Sequence, residues 1–367
     1  MYKYQEGLLK QSSSLVFNGS TKGRITWESP SNIAIVKYWG KKNNQIPKNP
    51  SISFSLNKSK TKTTIEYNTK TSGGKEPTTD FLFEGKENIT FRLRVETFIN
   101  NARPYFPFLD NLDLTVQSEN TFPHSAGIAS SASSLSSIAL CLCSIENALF
   151  NTLDNDEAFF RKASFISRLG SGSASRSVYP RWALWGETGT VKNASDEYAI
   201  PVFGVHPDFN EINDTVLLVS SARKPVSSSE GHEMMDNHVF SLSRIEQANK
   251  NCMDLYAVLK SGEINRFIEI AENEALTLHA LMMSSNPGYL LLQPGSISII
   301  NKIKSFREET RLPVGFTIDA GPNIHLLSFE KDKDSIDDFI KSELAGFCED
   351  GQWIDDKIGD GPKQIIA

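Results

Sequence analysis

Residues Phe122 to Cys143 read F-P-H-S-A-G-I-A-S-S-A-S-S-L-S-S-I-A-L-C-L-C. A Pro/Gly/Ser loop here runs directly into an apolar helix. A helix start presents backbone N–H groups without intrahelical partners, together with the positive end of the dipole. Glycine and small hydroxyl residues at that start let an anion come close to the backbone. The stretch is therefore a candidate phosphate cradle. The same pattern also describes an ordinary Ser-capped helix. It is not a Walker A loop, because it lacks G-x-x-x-x-G-K-[ST] and contains no lysine.

Around the cradle, Leu112 to Gln117 predicts a strand leading in. Leu135, Ile138, Leu142, Ile145 and Leu149 follow a 3–4 spacing that buries one stripe of the outgoing helix. Upstream, Arg24 to Lys42 predicts a strand followed by a tight segment ending at Gly40. Ser51 to Leu56 and Lys60 to Tyr67 predict two half-buried strands. Residues 1–23 are expected to be a loose or edge-pairing arm, and 71–79 a surface loop. Helices are predicted over 89–102, 159–168, 237–260, 263–283 and 296–310. Val216 to Ser220 is a buried strand, and Val314 to Phe329 reads as strand, turn, strand. Strands that look antiparallel, with clustered rather than alternating helices, point to an α+β fold.

The 367 residues carry a formal net charge of −6, with 39% hydrophobic and 22% charged residues. That balance excludes an overall basic field for nucleic acid, so local lysines and arginines must hold any anion. Cys141 and Cys143 lie two apart on a helix and point to nearly opposite faces, a poor arrangement for chelating a metal. All four cysteines are expected to be reduced structural thiols. The N-terminus lacks a signal-peptide core, and no apolar run approaches the roughly 20 residues that span a bilayer. The expected location is the cytoplasm, without membrane attachment.

Three further segments put charge, glycine or hydroxyls at turns: S-N-I-A-I-V-K-Y-W-G-K at 31–41, G-S-G-S-A-S-R-S at 170–177 and T-I-D-A-G-P-N at 317–323. Each has a plain reading. Lys37 and Lys41 suit a solvated surface, the glycine–serine run a flexible turn, and Asp319 an Asx-type turn. The sharper reading of Arg176 is a guanidinium that pairs bidentately with a carboxylate or phosphate.

Taken together and in this order, the segments resemble the diphosphomevalonate decarboxylase family of the galactokinase, homoserine kinase, mevalonate kinase and phosphomevalonate kinase superfamily. N-I-A-x-x-K-Y-W-G-K matches Asn32 to Lys41, and S-I-S-x-x-L matches Ser51 to Leu56. N-F-P-x-x-A-G-L-A-S-S-A-S is matched by residues 121–133. G-S-G-S-A-C-R-S is matched with Ser175 for Cys, and F-D-A-G-P-N with Ile318 for Phe. Weaker matches fall at 224–231, 278–282 and 359–362, so the resemblance spans about residues 30–362.

The resemblance implies a two-lobed fold with an N-lobe like domain 2 of ribosomal protein S5, a ferredoxin-like C-lobe and a deep central cleft. The lobes are expected at 1–200 and 201–367, the last segment returning to the body. It implies ATP and Mg2+, with a tertiary hydroxyl phosphorylated so that phosphate and CO2 leave. In that chemistry Asp319 would orient or deprotonate the hydroxyl, Arg176 would grip the substrate carboxylate, Asn32 would position Arg176, and Lys37 would stabilise phosphoryl charge. Tyr38, Lys41, Ser171 and Ser173 would hold the substrate diphosphate, and Ser228 a substrate or nucleotide group. Gly127, Ser130, Ser131 and Ser133 would wrap the ATP phosphates, and no metal ligand is assigned. Family members commonly form homodimers.

Further departures from the family pattern fall in three places. His232 stands where the family has Met; it is expected to face solvent or to alter the phosphate pocket. His124 and Ser125 replace Thr-Ala, with His124 as a loop cap. N-P-G-Y-L-L-L-Q-P-G at 286–295 replaces P-P-I-x-Y-L-N-D. The alternatives are a kinase or decarboxylase of mevalonate 5-phosphate or a related acid, and an inactive ligand sensor.

Overall fold

Hydroxyl and apolar residues alternate along β2 (Ser51–Thr69), the strand that organises the first lobe. The computed structural model describes residues 2–17, 19–70, 78–123, 128–153, 155–222 and 226–365. The two strands expected at Ser51–Leu56 and Lys60–Tyr67 are one continuous element; the backbone N–H groups of the Asn57-Lys58-Ser59 link between them are held by the Asp356 carboxylate. The first sheet adds β1 (Lys22–Ala34), β3 (Thr78–Phe83), β4 (Lys86–Glu87), β5 (Leu112–Asn120), β6 (Trp182–Trp185) and β7 (Ala199–Pro201). β1 and β5 flank β2 as antiparallel neighbours, and the β3–β5 pair is parallel. The β1–β2 register shifts between Pro30 and Asn32. A proline cannot donate to the ladder, so the irregularity falls there.

Helix α1 (Lys3–Ser12) replaces the loose arm expected at the N-terminus. Its start is held by Glu197, whose carboxylate accepts from the backbone N–H groups of Tyr4 (3.1 Å) and Gln5 (2.8 Å). α2 (Ile89–Ala102), α3 (Ser130–Phe150), α4 (Asp156–Gly170) and the short α5 (Ala174–Ser177) complete the lobe. α3 packs on β1 and β2 on one side and on α4 on the other. Its serines meet hydroxyls of the sheet: Ser133 with Thr61, Ser137 with Thr63 and Ser136 with Ser29, each at 2.6 Å. A Ser-rich helix face is thereby buried without orphaned polar groups. In length and apolarity α3 would also suit a bilayer, contrary to the sequence expectation. Here it is a core helix.

The second lobe is a four-stranded antiparallel sheet in the order β11 (Trp353–Lys357), β8 (Ile212–Leu217), β10 (Ile324–Phe329), β9 (Gly315–Thr317). Helices α6 (Ser228–Met234), α7 (Ser241–Ser261), α8 (Ile264–Met283), α9 (Pro294–Thr310) and α10 (Lys333–Phe339) belong to it. α9 and α10 share a core with one face of this sheet through Ile303, Phe316, Leu326 and Phe339. α7 and α8 pack toward the first lobe, where Cys252, Leu255, Phe267 and Ala271 join Ile35, Phe54 and Trp182 in one buried cluster. The lobes thus share a core. The chain then crosses back: Asp356 on β11 accepts from the backbone N–H groups of Asn57, Lys58 and Ser59, and β12 (Lys363–Ile365) pairs with β1. Two sheets with segregated helices make the fold α+β.

All four cysteines are buried free thiols.

Candidate active site

The end of β1 delivers the first group of side chains. Beyond Ala34 the chain leaves the ladder, and Lys37, Tyr38, Trp39 and Gly40 are all buried. Gly40 turns the segment with φ +93°, where a side chain would be strained. Lys37 Nζ lies 2.8 Å from Asp319 Oδ1, with the lysine side chain 3% exposed and the carboxylate 29%. Asp319 sits on the turn between β9 and β10, and His279 Nε2 on α8 lies 3.1 Å from its backbone carbonyl. Lys37 and Asp319 therefore come from opposite lobes and meet.

Asn32 bridges from β1 to the glycine–serine segment. Its Nδ2 donates to Ser173 O (3.0 Å) and Ser177 Oγ (2.8 Å), and its Oδ1 accepts from Arg176 Nε (3.4 Å). Gly172 allows the approach: a Cβ there would lie 2.5 Å from Trp185 and 2.8 Å from Tyr38. The Arg176 guanidinium is buried and lies over the Trp185 ring, with no hydrogen-bond partner for Nη1 among the described residues. Burial pushes it down to about 10, with Asp319 and Tyr38 opposing, so it remains a cation near neutral pH. A buried cationic N–H without a partner is costly unless a ligand completes it. Ser171 and Ser173 are half-buried beside it.

Tyr38 packs edge-on against Trp185 at 4.7 Å. Burial raises its phenol above the ordinary value, so it stays a neutral donor. Lys41 is half-buried and opens onto a cavity of about 660 Å³, also lined by Lys42, Asn44, Lys48, Tyr105 and Asp236.

The cradle lies against the same corner: Ser31 Oγ donates to Ala129 O (3.2 Å) just before α3 begins. The N-cap of α3 is Ala129, which makes no side-chain cap. Among the described residues the capping-serine reading therefore does not hold. Ser130 is half-buried, its hydroxyl accepting from Asn120 Nδ2 (3.2 Å), and Ser131 is exposed. Ser133 corrects the expectation. Its hydroxyl is fully buried against Thr61 and cannot wrap a phosphate. Gly127, His124 and Ser125 lie outside the described residues. Ser228 is exposed as the first residue of α6; the cap of that helix is Ser227, in a capping box with Glu230. Of the two alternatives for His232, facing solvent or altering the phosphate pocket, the first does not hold, because the side chain is buried.

The sequence reading missed a buried polar frame beneath Lys37. Glu274 Oε2 accepts from the Lys37 N–H (2.8 Å), and the Lys37 carbonyl accepts from Asn49 Nδ2 (3.0 Å) and Arg244 Nη2 (2.9 Å). Arg244 in turn forks onto both oxygens of Glu274 at 2.7 Å each, with Asn251 completing the carboxylate. The available signal was a charge inside an apolar stripe: Glu274 falls among Ile270, Ala271, Ala275 and Leu278. Removing one member of such a pair strands the other charge. Arg244→Met should therefore destabilise the protein by about 3–5 kcal/mol, read as a lowered urea midpoint. A loss below about 1 kcal/mol, the worth of a surface pair, would show that the frame is dispensable.

Residues 29–199 match the family model described as the diphosphomevalonate decarboxylase-like N-terminal domain, and residues 215–362 match that of the mevalonate 5-diphosphate decarboxylase C-terminal domain. The chain belongs to the diphosphomevalonate decarboxylase family. It is 27% identical over 351 residues to the diphosphomevalonate decarboxylase mvd1 of Aspergillus fumigatus, covering 90% of this chain and 84% of that one. It superposes on the mevalonate diphosphate decarboxylase of Staphylococcus aureus with a TM-score of 0.81 at 26% identity, covering 94% of this chain and 99% of that one. A solved complex of MDDEF with MVAPP, AMPPCP and magnesium aligns with a TM-score of 0.78 at 26% identity, over 95% of this chain and 100% of that one.

Within this decarboxylase fold, His232 is held neutral. Burial, assisted by Lys41, pushes its imidazole down to about 3 from an ordinary 6.5. The unfolded chain takes up this proton as pH falls through about 6.5, whereas the folded chain resists until about 3. Stability from burying this neutral ring is thus complete above the higher value and lost progressively below it. His232→Asn should lose less stability than wild type between about pH 7 and about pH 5, measured as urea midpoints. Equal losses would show that His232 titrates normally.

Proposed function

We propose that this chain catalyses the ATP-dependent decarboxylation of mevalonate 5-diphosphate to isopentenyl diphosphate, ADP, phosphate and CO2. The observation that carries the reading is the Lys37–Asp319 pair at 2.8 Å, set beside an Arg176 whose Nη1 has no hydrogen-bond partner among the described residues. A tertiary alcohol is a weak nucleophile. Asp319 orients the 3-hydroxyl and accepts its proton as O3 takes the terminal phosphoryl group of ATP. Lys37 holds that carboxylate in place and offers positive charge to the phosphoryl oxygens. Arg176, positioned by Asn32, grips the C1 carboxylate. The C3–O bond then breaks with loss of phosphate, C1 leaves as CO2, and the electron pair of the broken C1–C2 bond becomes the C2–C3 double bond.

Tyr38, Lys41, Ser171 and Ser173 bind the 5-diphosphate in this reading, and Ser228 adds a hydroxyl at its edge. The start of α3, where the N-cap Ala129 makes no side-chain cap, fits the ATP phosphates with Ser130 and Ser131. Among the described residues no group of three or more His, Cys, Asp or Glu is placed to hold a metal ion. Mg2+ would instead rest on phosphate oxygens, with hydroxyls such as Ser130 and Ser131 as protein donors, a set that suits its preference for oxygen. When bound it would neutralise phosphate charge. Four buried free thiols suit a reducing cytoplasm.

Turnover on mevalonate, its 5-phosphate and its 5-diphosphate, compared at equal concentration, tests the substrate. The 5-diphosphate should be preferred; a preference for the 5-phosphate would overturn the assignment.

A further inference from the structure

His232 does something that the family pattern does not require, since that pattern places a methionine there. Its ring lies 4.3 Å from the Tyr38 ring and 4.7 Å from the Trp39 ring, and its Nδ1 accepts from the Gly40 N–H at 2.9 Å. One side chain therefore touches three consecutive residues of the segment that carries Lys37 and Lys41. A backbone N–H can only donate, so Nδ1 carries no proton and the proton of the neutral ring is on Nε2. Nε2 has no partner among the described residues.

The surroundings lock the ring from behind. Gly231 precedes it, and a Cβ there would lie 2.5 Å from Trp39 and 2.8 Å from the Tyr289 hydroxyl. Trp39, Met235, Leu281 and Leu291 form one small core, with Tyr289 packed against it. Tyr289 and Leu291 belong to the 286–295 segment that also departs from the family pattern. Both departures thus converge on the outer face of Tyr38–Gly40. Gly40 takes its positive φ without strain because it has no Cβ, and the bond from its backbone N–H to His232 ties down this otherwise permissive turn.

We propose that His232 is a positioning residue, which holds the Tyr38–Lys41 segment in the conformation that presents Tyr38 and Lys41 to the anionic end of the substrate. The role rests on the functional reading above, because it acts through two residues assigned there to substrate. It predicts that what matters is an acceptor at the position of Nδ1, which an asparagine carboxamide reproduces and a glutamine, reaching further, does not.

The test compares wild type with His232→Ala, His232→Asn and His232→Gln in steady-state assays, with melting temperatures measured in parallel. His232→Ala should raise KM for mevalonate 5-diphosphate about tenfold, while kcat and KM for ATP stay within about twofold. His232→Asn should recover to within about threefold of wild type, and His232→Gln should not. An unchanged KM in His232→Ala would overturn the proposal. So would rescue by Gln but not Asn, which would mean that Nε2 itself meets the substrate. Parallel losses in kcat, both KM values and melting temperature would reduce the residue to core packing and likewise overturn it. Should His232→Ala not fold, the Asn–Gln comparison decides alone. Absence of turnover in wild type would count against the proposed function instead. Binding of inorganic diphosphate, followed by tryptophan fluorescence, would then decide the role of His232 by the same ranking of variants.

Discussion

Asp319→Asn is expected to lower turnover by about 10³-fold or more, equivalent to about 4 kcal/mol of transition-state stabilisation. Asparagine has nearly the same shape, so the turn between β9 and β10 and the contact of the Asp319 carbonyl with His279 can persist. What it lacks is the negative charge that accepts a proton and holds Lys37. The Lys37 side chain is 3% exposed, and its ammonium at 2.8 Å would face a neutral amide. Loss of the pair therefore removes the base and misplaces the cation together, and the two effects are not additive. Single-turnover measurement of ADP formation on folded protein checks this. Near-normal turnover would mean that Asp319 only shapes the turn.

Arg176→Gln is expected to lose about 10²–10⁴-fold in kcat/KM, because two charge-assisted hydrogen bonds to a carboxylate contribute about 1.5–3 kcal/mol each. The same substitution should not lower the melting temperature. The guanidinium is buried, its Nε contact to Asn32 is long at 3.4 Å, and Nη1 has no hydrogen-bond partner among the described residues. Replacing it removes a desolvated charge that only substrate completes. Activity and stability thus move apart, the mark of a residue strained for function rather than for folding. A variant that loses both in proportion would show Arg176 to be structural. Arg176→Lys should rescue poorly, because an ammonium cannot reproduce the planar fork.

Much of this was legible in the chain because it depends on local chemistry. The helices over 89–102, 263–283 and 296–310 follow from periodicity, and the structure places them within two residues of the expected ends. The four turn-rich segments could be picked out because charge, glycine and hydroxyl at a turn have few core roles. Their convergence was not legible. That Lys37 meets Asp319 depends on the packing of two lobes through the Phe54, Trp182 and Phe267 cluster, and that Asn32 reaches Ser177 depends on how α5 sits against β1 within the first lobe. Ser133 was misread for a related reason. A serine on a helix start looks the same whether it faces a phosphate or Thr61, and only the register of β2 under α3 decides. The N-terminal helix escaped notice because its polar sequence is held by Glu197, far away in the chain. Glu274 left a trace as a charge inside an apolar stripe, but its partner Arg244 looks like an ordinary surface charge until α7 and α8 are placed against the other lobe.

The central claim is that phosphate is transferred here to make a leaving group, with fragmentation following on the same site. The most direct measurement is the ratio of ADP to CO2 formed by the purified protein with ATP, Mg2+ and mevalonate 5-diphosphate. Equal amounts of the two products are predicted. ADP formed without CO2 would make the protein a kinase, and neither product from folded protein would contradict the account altogether.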